Sequence, residues 1–401
     1  MSTDRGAVRA HNDGTFETRA HLFATWCATM GLTEHHLRKL TDEQCILMLG
    51  SYVREVKMGN NSHQRTDLAA DTIRGYVKAA HMLLELMLGR DINILDKNHG
   101  GKRNKHHPFI GQQIADRRRW YKPRERYEPF TVDMFNVLAD EILTAPDSAS
   151  GFLGKVYCVY DWTRLGVFTG FRIGEYGQNS PNSFSCIPHD FLNVPVEYHG
   201  MPMAMMECDF QFFDNNFVSI PHEDLDIRHQ KGEVLWLEIR WRYDKGASNF
   251  VKKKFQWTGH PIFCPVDAAV SIILRKTLLG VPSDHPIGVW QDTKKGGSSY
   301  QFVIGKDVSA VMRNACDLAY PNPNHYMRIN RKRIVPHSNR VTAAVCLQKG
   351  GAENDEIAFK LRWHPTSVPT YLRECFQSIG ATLEKAIAGV MKVTFASSPP
   401  T

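Results

Sequence analysis

Between Pro336 and Glu374 the chain gathers side chains suited to an anionic ligand: PHSNRVTAAVCLQKGGAENDEIAFKLRWHPTSVPTYLRE. His337 and Arg340 stand three apart at the head of an apolar run, Ala343, Ala344, Val345 and Leu347. That spacing puts both on one face of a helix. Gly350 and Gly351 close the helix, and Glu353 or Asn354 opens another carrying Ile357, Ala358 and Leu361. Arg362, Trp363 and His364 follow, then a short polar turn and Tyr371. An imidazole, a guanidinium, an indole N–H and a phenol can meet around one phosphate. A guanidinium bonds two oxygens at once and stays charged, and an indole nitrogen only donates. Each residue also has an ordinary reading: His337 as a helix cap, Trp363 as core, Tyr371 as packing among Val368, Leu372 and Phe376.

The elements that must position these groups sit in a chain of 401 residues, enough for two domains. A hydrophobic fraction of 42% supports real cores. No run approaches the roughly 18 consecutive apolar residues of a membrane span. The polar N-terminus lacks the apolar stretch of a secretory signal. Nine Cys are scattered without a CxxC pair, so neither a zinc finger nor a disulfide framework is indicated, no metal or cofactor is expected, and a reducing compartment fits. A formal net charge of +7 is weak alone, but its distribution is uneven.

Residues 1–14 are polar and aperiodic and read as disordered. From 15 to 100 the pattern is helical. Phe16, Leu22, Trp26 and Met30 form a first helix, stopped at Gly31. Thr41 caps a second with Ile46, Leu49, Tyr52 and Val53, and a third runs from about Ala70 to Gly89. A basic linker, 101–129, follows. Lys102, Arg103, Lys105, Arg117, Arg118, Arg119, Lys122, Arg124 and Arg126 face only Asp116 and Glu125, with Trp120, Tyr121 and Tyr127 interleaved. Such a run is a solvated connector or one that passes close to a polyanion.

From 130 to 401 the pattern is mixed. Thr131 caps a helix through Met134, Leu138 and Ile142, and a second helix from Leu153 to Phe168 leads into Thr169-Gly170-Phe171-Arg172-Ile173-Gly174-Glu175-Tyr176. Strands are predicted within Asp209–Ile220, along Val234–Tyr243, and along Phe250–Trp257 after a turn at 244–248. Helices are predicted over Pro265–Leu279, Val308–Tyr320 and Ile379–Val393. Arg331, Lys332 and Arg333 form a second basic run just before His337. The fold class is therefore mostly α with a small β-sheet. The acidic and aromatic segment 177–232 has no functional account.

Taken in order, T-G-F-R-I-G-E-Y (169–176), H-S-N-R (337–340) and L-R-W followed by Y-L-R (361–363, 371–373) resemble the boxes of the tyrosine recombinase, or phage integrase, superfamily. Within it the chain most resembles Crypton-type mobile-element recombinases. The resemblance covers the catalytic domain from about Thr131. The helical module corresponds in position to the family's core-binding, SAM-like domain. It implies that Arg172 and Arg340 clamp a scissile phosphate while Tyr371 attacks phosphorus and becomes linked to the DNA 3′ phosphate. His337 would serve as base, Trp363 as donor to a phosphate oxygen, and Lys245 as acid for the departing 5′ oxygen. Glu175 would support the site, with His364 a rival to Trp363. Lys252, Lys253 and Lys254 compete with Lys245. Where the family commonly has Gly-His, this chain has Arg362-Trp363.

The expected activity is site-specific recombination or integration of double-stranded DNA, without metal or ATP, by a homotetramer on two duplexes. It would serve a transposable element, with a nuclear location if the host is eukaryotic and a cytoplasmic one otherwise. Two other readings stay open: a domesticated, inactive DNA-binding protein of the same fold, and a type IB topoisomerase-like enzyme.

Overall fold

Among the described residues of the first third of the chain the regular structure is helical. In this computed structural model the described residues are 3–58, 68, 70–90, 92, 107, 109–114, 127–144, 151–187, 195–242, 251–292 and 300–373. They divide between two compact units, residues 1–124 and 125–401.

In the first unit, α1 (Thr3–Thr29) is followed by the single turn α2 (Glu34–Leu37), α3 (Asp42–Met58) and α4 (Ala70–Leu88). The predicted cap of α3 is present in full: the Gln44 N–H donates to Thr41 Oγ1 (3.3 Å) and the Thr41 N–H to Gln44 Oε1 (2.9 Å). Phe23, Trp26 and Tyr52 meet at ring separations of 4.9–5.9 Å, over a core that includes Leu49, Val53, Ile73, Val77 and Leu84. Helix α1 starts at Thr3, inside the stretch 1–14 that the sequence reads as disordered. That stretch has no apolar stripe, so periodicity could not reveal it, although Ala7, Arg9 and Ala10 are good helix formers.

The second unit is arranged around α6 (Lys155–Thr169), which follows α5 (Val132–Thr144) and precedes the single turn α7 (Ile173–Tyr176). Cys158, Val159, Trp162 and Leu165 of α6 are fully buried. Next come β1 (Phe210–Phe213), β2 (Ser219–Ile220), α8 (Leu225–Gln230), β3 (Trp236–Trp241), β4 (Val251–Gln256) and α9 (Pro265–Leu278). The four strands form an antiparallel sheet in the order β2-β1-β3-β4. Leu237, Ile239 and Trp241 alternate into the core, while Trp236, Glu238 and Arg240 lie on the other face. The described residues of segment 177–232 thus supply β1, β2 and α8. Arg242 holds it, with Nε and Nη2 on the Asp209 carboxylate (2.7 and 2.9 Å) and further bonds to the Pro202 and Ala204 carbonyls.

Buried Asp161 ties α6 to α9. One oxygen accepts from Arg164 (2.7 Å) and the other from Arg275. A second antiparallel pair, β5 (Val289–Gln291) with β6 (Tyr300–Phe302), went unpredicted because three residues are too few to show alternation. The chain continues through α10 (Gly305–Ala319), the turn α11 (Tyr326–Ile329), α12 (Ser338–Lys349), α13 (Asn354–Leu361) and α14 (Val368–Arg373). The described fold is mostly helical with a small antiparallel sheet, the class the sequence predicts. Among the described residues no helix is long and apolar enough to cross a membrane.

Candidate active site

Helix α6 ends in a left-handed residue, Gly170 (φ 60°), which turns the chain and leaves its carbonyl free of the helix ladder. Two residues on, extended Arg172 precedes α7 and meets Glu175 at both backbone and side chain. Its N–H donates to Glu175 Oε2 (3.2 Å) and its Nη1 to Oε1 (3.0 Å). Glu175 is buried, whereas the Arg172 side chain keeps 32% of its surface exposed.

Helix α12 packs on α6 and brings Arg340 to the same place. Arg340 is 4% exposed. Nη1 donates to the Gly170 carbonyl (2.6 Å) and Nε to the Tyr371 hydroxyl oxygen (3.4 Å). Its guanidinium carbon lies 4.4 Å from the Trp363 ring centroid and 5.6 Å from that of Tyr371. Burial holds Arg340 below the ordinary arginine value, with the phenol opposing and the positive charge of nearby Arg172 adding. Two guanidiniums placed together in a partly dry site repel one another, and an anion between them would relieve that repulsion.

Tyr371 is half-buried on α14 beside two rings. Trp363 lies 4.1 Å from it between centroids and His337 5.3 Å, with 25° between planes. His337 stands just before α12 and also touches Tyr127 (4.9 Å), an aromatic that the sequence pattern places only in the linker. Trp363 is 7% exposed, and its indole N–H is buried with no hydrogen-bond partner among the described residues. A buried donor left unsatisfied is costly, and the core indoles of Trp162, Trp241 and Trp290 share that state, so what distinguishes Trp363 is its place against Arg340 and Tyr371.

Arg172, Glu175, His337, Arg340, Trp363 and Tyr371 are therefore assembled in one place. His364 is not: it is exposed and caps its own turn, with Nδ1 bonded to Thr366 Oγ1 (2.8 Å). Lys245 and the nine linker cations lie outside the described residues. Of the rival lysines, Lys252 and Lys254 pair with Glu238 on the sheet's outer face (2.9 and 4.0 Å). Lys253 takes the inner face, with Nζ 3.4 Å from the Phe359 ring centroid. Burial and the charge of Arg362 hold its ammonium below the ordinary lysine value. In the second basic run Arg331 pairs with Asp317 (2.7 Å) and Arg333 with Glu128 (3.3 Å), and Lys332 is exposed.

Sequence reasoning did not assign Arg362 a role. It is buried beneath the site, with Nη2 on Glu175 Oε2 (3.0 Å) and its guanidinium 3.9 Å from the Trp241 ring centroid. The one signal was its position before Trp363. Among the described residues no three His, Cys, Asp or Glu side chains are grouped so as to hold a metal ion.

Two guanidiniums, an unsatisfied N–H and a phenol within reach of one another can bind a tetrahedral anion and deliver an oxygen nucleophile to it. No protein-family model matches the chain, and no curated protein is significantly similar to it.

Proposed function

We propose that this protein cleaves and rejoins DNA strands through a 3′-phosphotyrosyl link at Tyr371, as the tyrosine recombinases it resembles do. The observation that carries the proposal is the contact of Arg340 with Tyr371, with Trp363 against the same ring and Arg172 beside it. On this reading Arg172, Arg340 and the Trp363 N–H hold the non-bridging oxygens. They are preorganised and partly shielded from water, so they cost little reorganisation as charge develops. Tyr371 Oη forms the bond to phosphorus while its proton passes to His337. Arg340 Nε stabilises charge on the phenol oxygen as the proton leaves. The bond from phosphorus to the 5′ oxygen breaks, and an acid protonates that oxygen. The resemblance gives this role to Lys245. Reversal with a different 5′ hydroxyl rejoins strands with no net change in bond energy.

The substrate on this reading is duplex DNA, held by the helical unit and the basic linker as by a core-binding domain. The assembly is a tetramer on two duplexes. Recombination or integration for a mobile element is the matching biology, in the nucleus if the host is eukaryotic and in the cytoplasm otherwise.

A nicked suicide duplex, from which the short 5′-hydroxyl strand diffuses away after cleavage, tests this. The wild type should yield a covalent adduct that resists denaturant, and Tyr371→Phe should abolish it. An adduct that survives Tyr371→Phe would overturn the nucleophile. DNA binding with no adduct on any nicked duplex would favour an inactive DNA-binding protein.

A further inference from the structure

Helix α13 ends with a 6→1 closure, the Trp363 N–H donating to the Ala358 carbonyl (2.8 Å). The residue that makes this possible has φ 58°, and it is Arg362. Such a closure ordinarily holds glycine, because a side chain in the left-handed region is strained. Among the described residues only Phe217 and Arg362 are non-glycines with positive φ. An arginine kept there against backbone preference calls for a side-chain reason.

The side chain has one. Its Nη2 bonds Glu175 Oε2 (3.0 Å), while the other oxygen of the same carboxylate takes Arg172 Nη1 (3.0 Å). Arg362 is 2% exposed in its side chain and stacks on Trp241 of β3, so its own position is set by the core. One carboxylate is thus shared by two guanidiniums. Its orientation follows Arg362.

We infer that Arg362 is a positioning residue that aims Arg172 through Glu175. The inference rests on the Tyr371 reading for its catalytic consequence, and on the Arg362–Glu175–Arg172 chain for its structural one. Arg362 touches no reacting atom. It acts on the clamp, from below, and on the direction of Trp363 through the backbone.

Arg362→Gly is the informative change, since glycine favours the φ that Arg362 strains. If Arg362 only fills a helix end, Arg362→Gly should cleave like the wild type and melt no earlier. If it positions the clamp, cleavage of pre-bound nicked duplex should fall about 100-fold with unchanged DNA affinity, the scale of loss for a misplaced catalytic group. Arg362→Lys should recover part of the rate by restoring the charge without the planar fork. Arg362→Gly added to Glu175→Gln should cost little beyond Glu175→Gln alone. Wild-type cleavage that is unaltered by Arg362→Gly overturns the inference and leaves the Tyr371 reading standing. A wild type that forms no adduct overturns the Tyr371 reading instead. Thermal unfolding of the wild type, the two single variants and the double variant then decides the inference alone: coupling between Arg362→Gly and Glu175→Gln supports it, and additive effects overturn it.

Discussion

Trp363 joins packing to polarity at the site. Its ring is packed on Tyr371 and under the Arg340 guanidinium, yet its N–H is buried without a partner among the described residues. A phenylalanine there keeps the ring stacking and discards the unsatisfied donor. Trp363→Phe should therefore fold with stability equal to or above the wild type. In the nicked-duplex assay it should cleave about 10²- to 10³-fold more slowly, as when one preorganised donor is removed. Wild-type cleavage rates in Trp363→Phe would mean that the indole N–H meets no phosphate oxygen. In sequence the tryptophan reads first as core, and as a donor only through its place in the motif. In the structure the ring is core and its N–H has no partner among the described residues.

At the scale of elements, the turn that ends α6 matters most. Gly170 adopts φ 60°, its carbonyl accepts from Arg340, and a Cβ there would lie 3.1 Å from Leu361 Cδ2. Gly170→Ala should lower stability by about 1–2 kcal/mol through the left-handed backbone alone. Crowding against Leu361 adds to that. Chemical denaturation measures the effect, and an unchanged midpoint would show that the turn relaxes to accommodate the methyl. Strand alternation is the other decision made at this scale. Lys252, Lys253 and Lys254 are adjacent in sequence. The β3–β4 register sends the first and third to Glu238 and only the second to the side of Arg362. Helices α3, α4, α9 and α10 were legible to within a few residues because an apolar period of 3.6 repeats over three or more turns in each. The three-residue strands β5 and β6 carry too little pattern to be read.

For the whole molecule, the surplus of +7 is concentrated in the segment 102–126 and the run 331–333. If these cations meet DNA phosphates, affinity should fall linearly on a log–log plot against salt. Replacing Arg117, Arg118 and Arg119 together by alanine should flatten the slope by about 0.9 for each phosphate that is no longer neutralised. Filter binding or fluorescence anisotropy between low and moderate salt reads the slope. An identical slope for the triple variant would remove the linker from the DNA interface. The two compact units each have a separate hydrophobic core.

Local rules wrote the capping of α3, the helical periods, the basic linker and the order of the chemically competent residues into the sequence, since each depends on neighbours a few positions away. Bringing Gly170, Arg340 and Tyr371 together required α12 to pack on α6 and α14 to pack on α12, a long-range burial that no local pattern specifies. The partnership of Arg362 with Glu175, 187 residues away, was likewise decided only when the core closed around Trp241. A buried charge chooses its partner by distance in space, and in a chain of this length that distance is set by the fold.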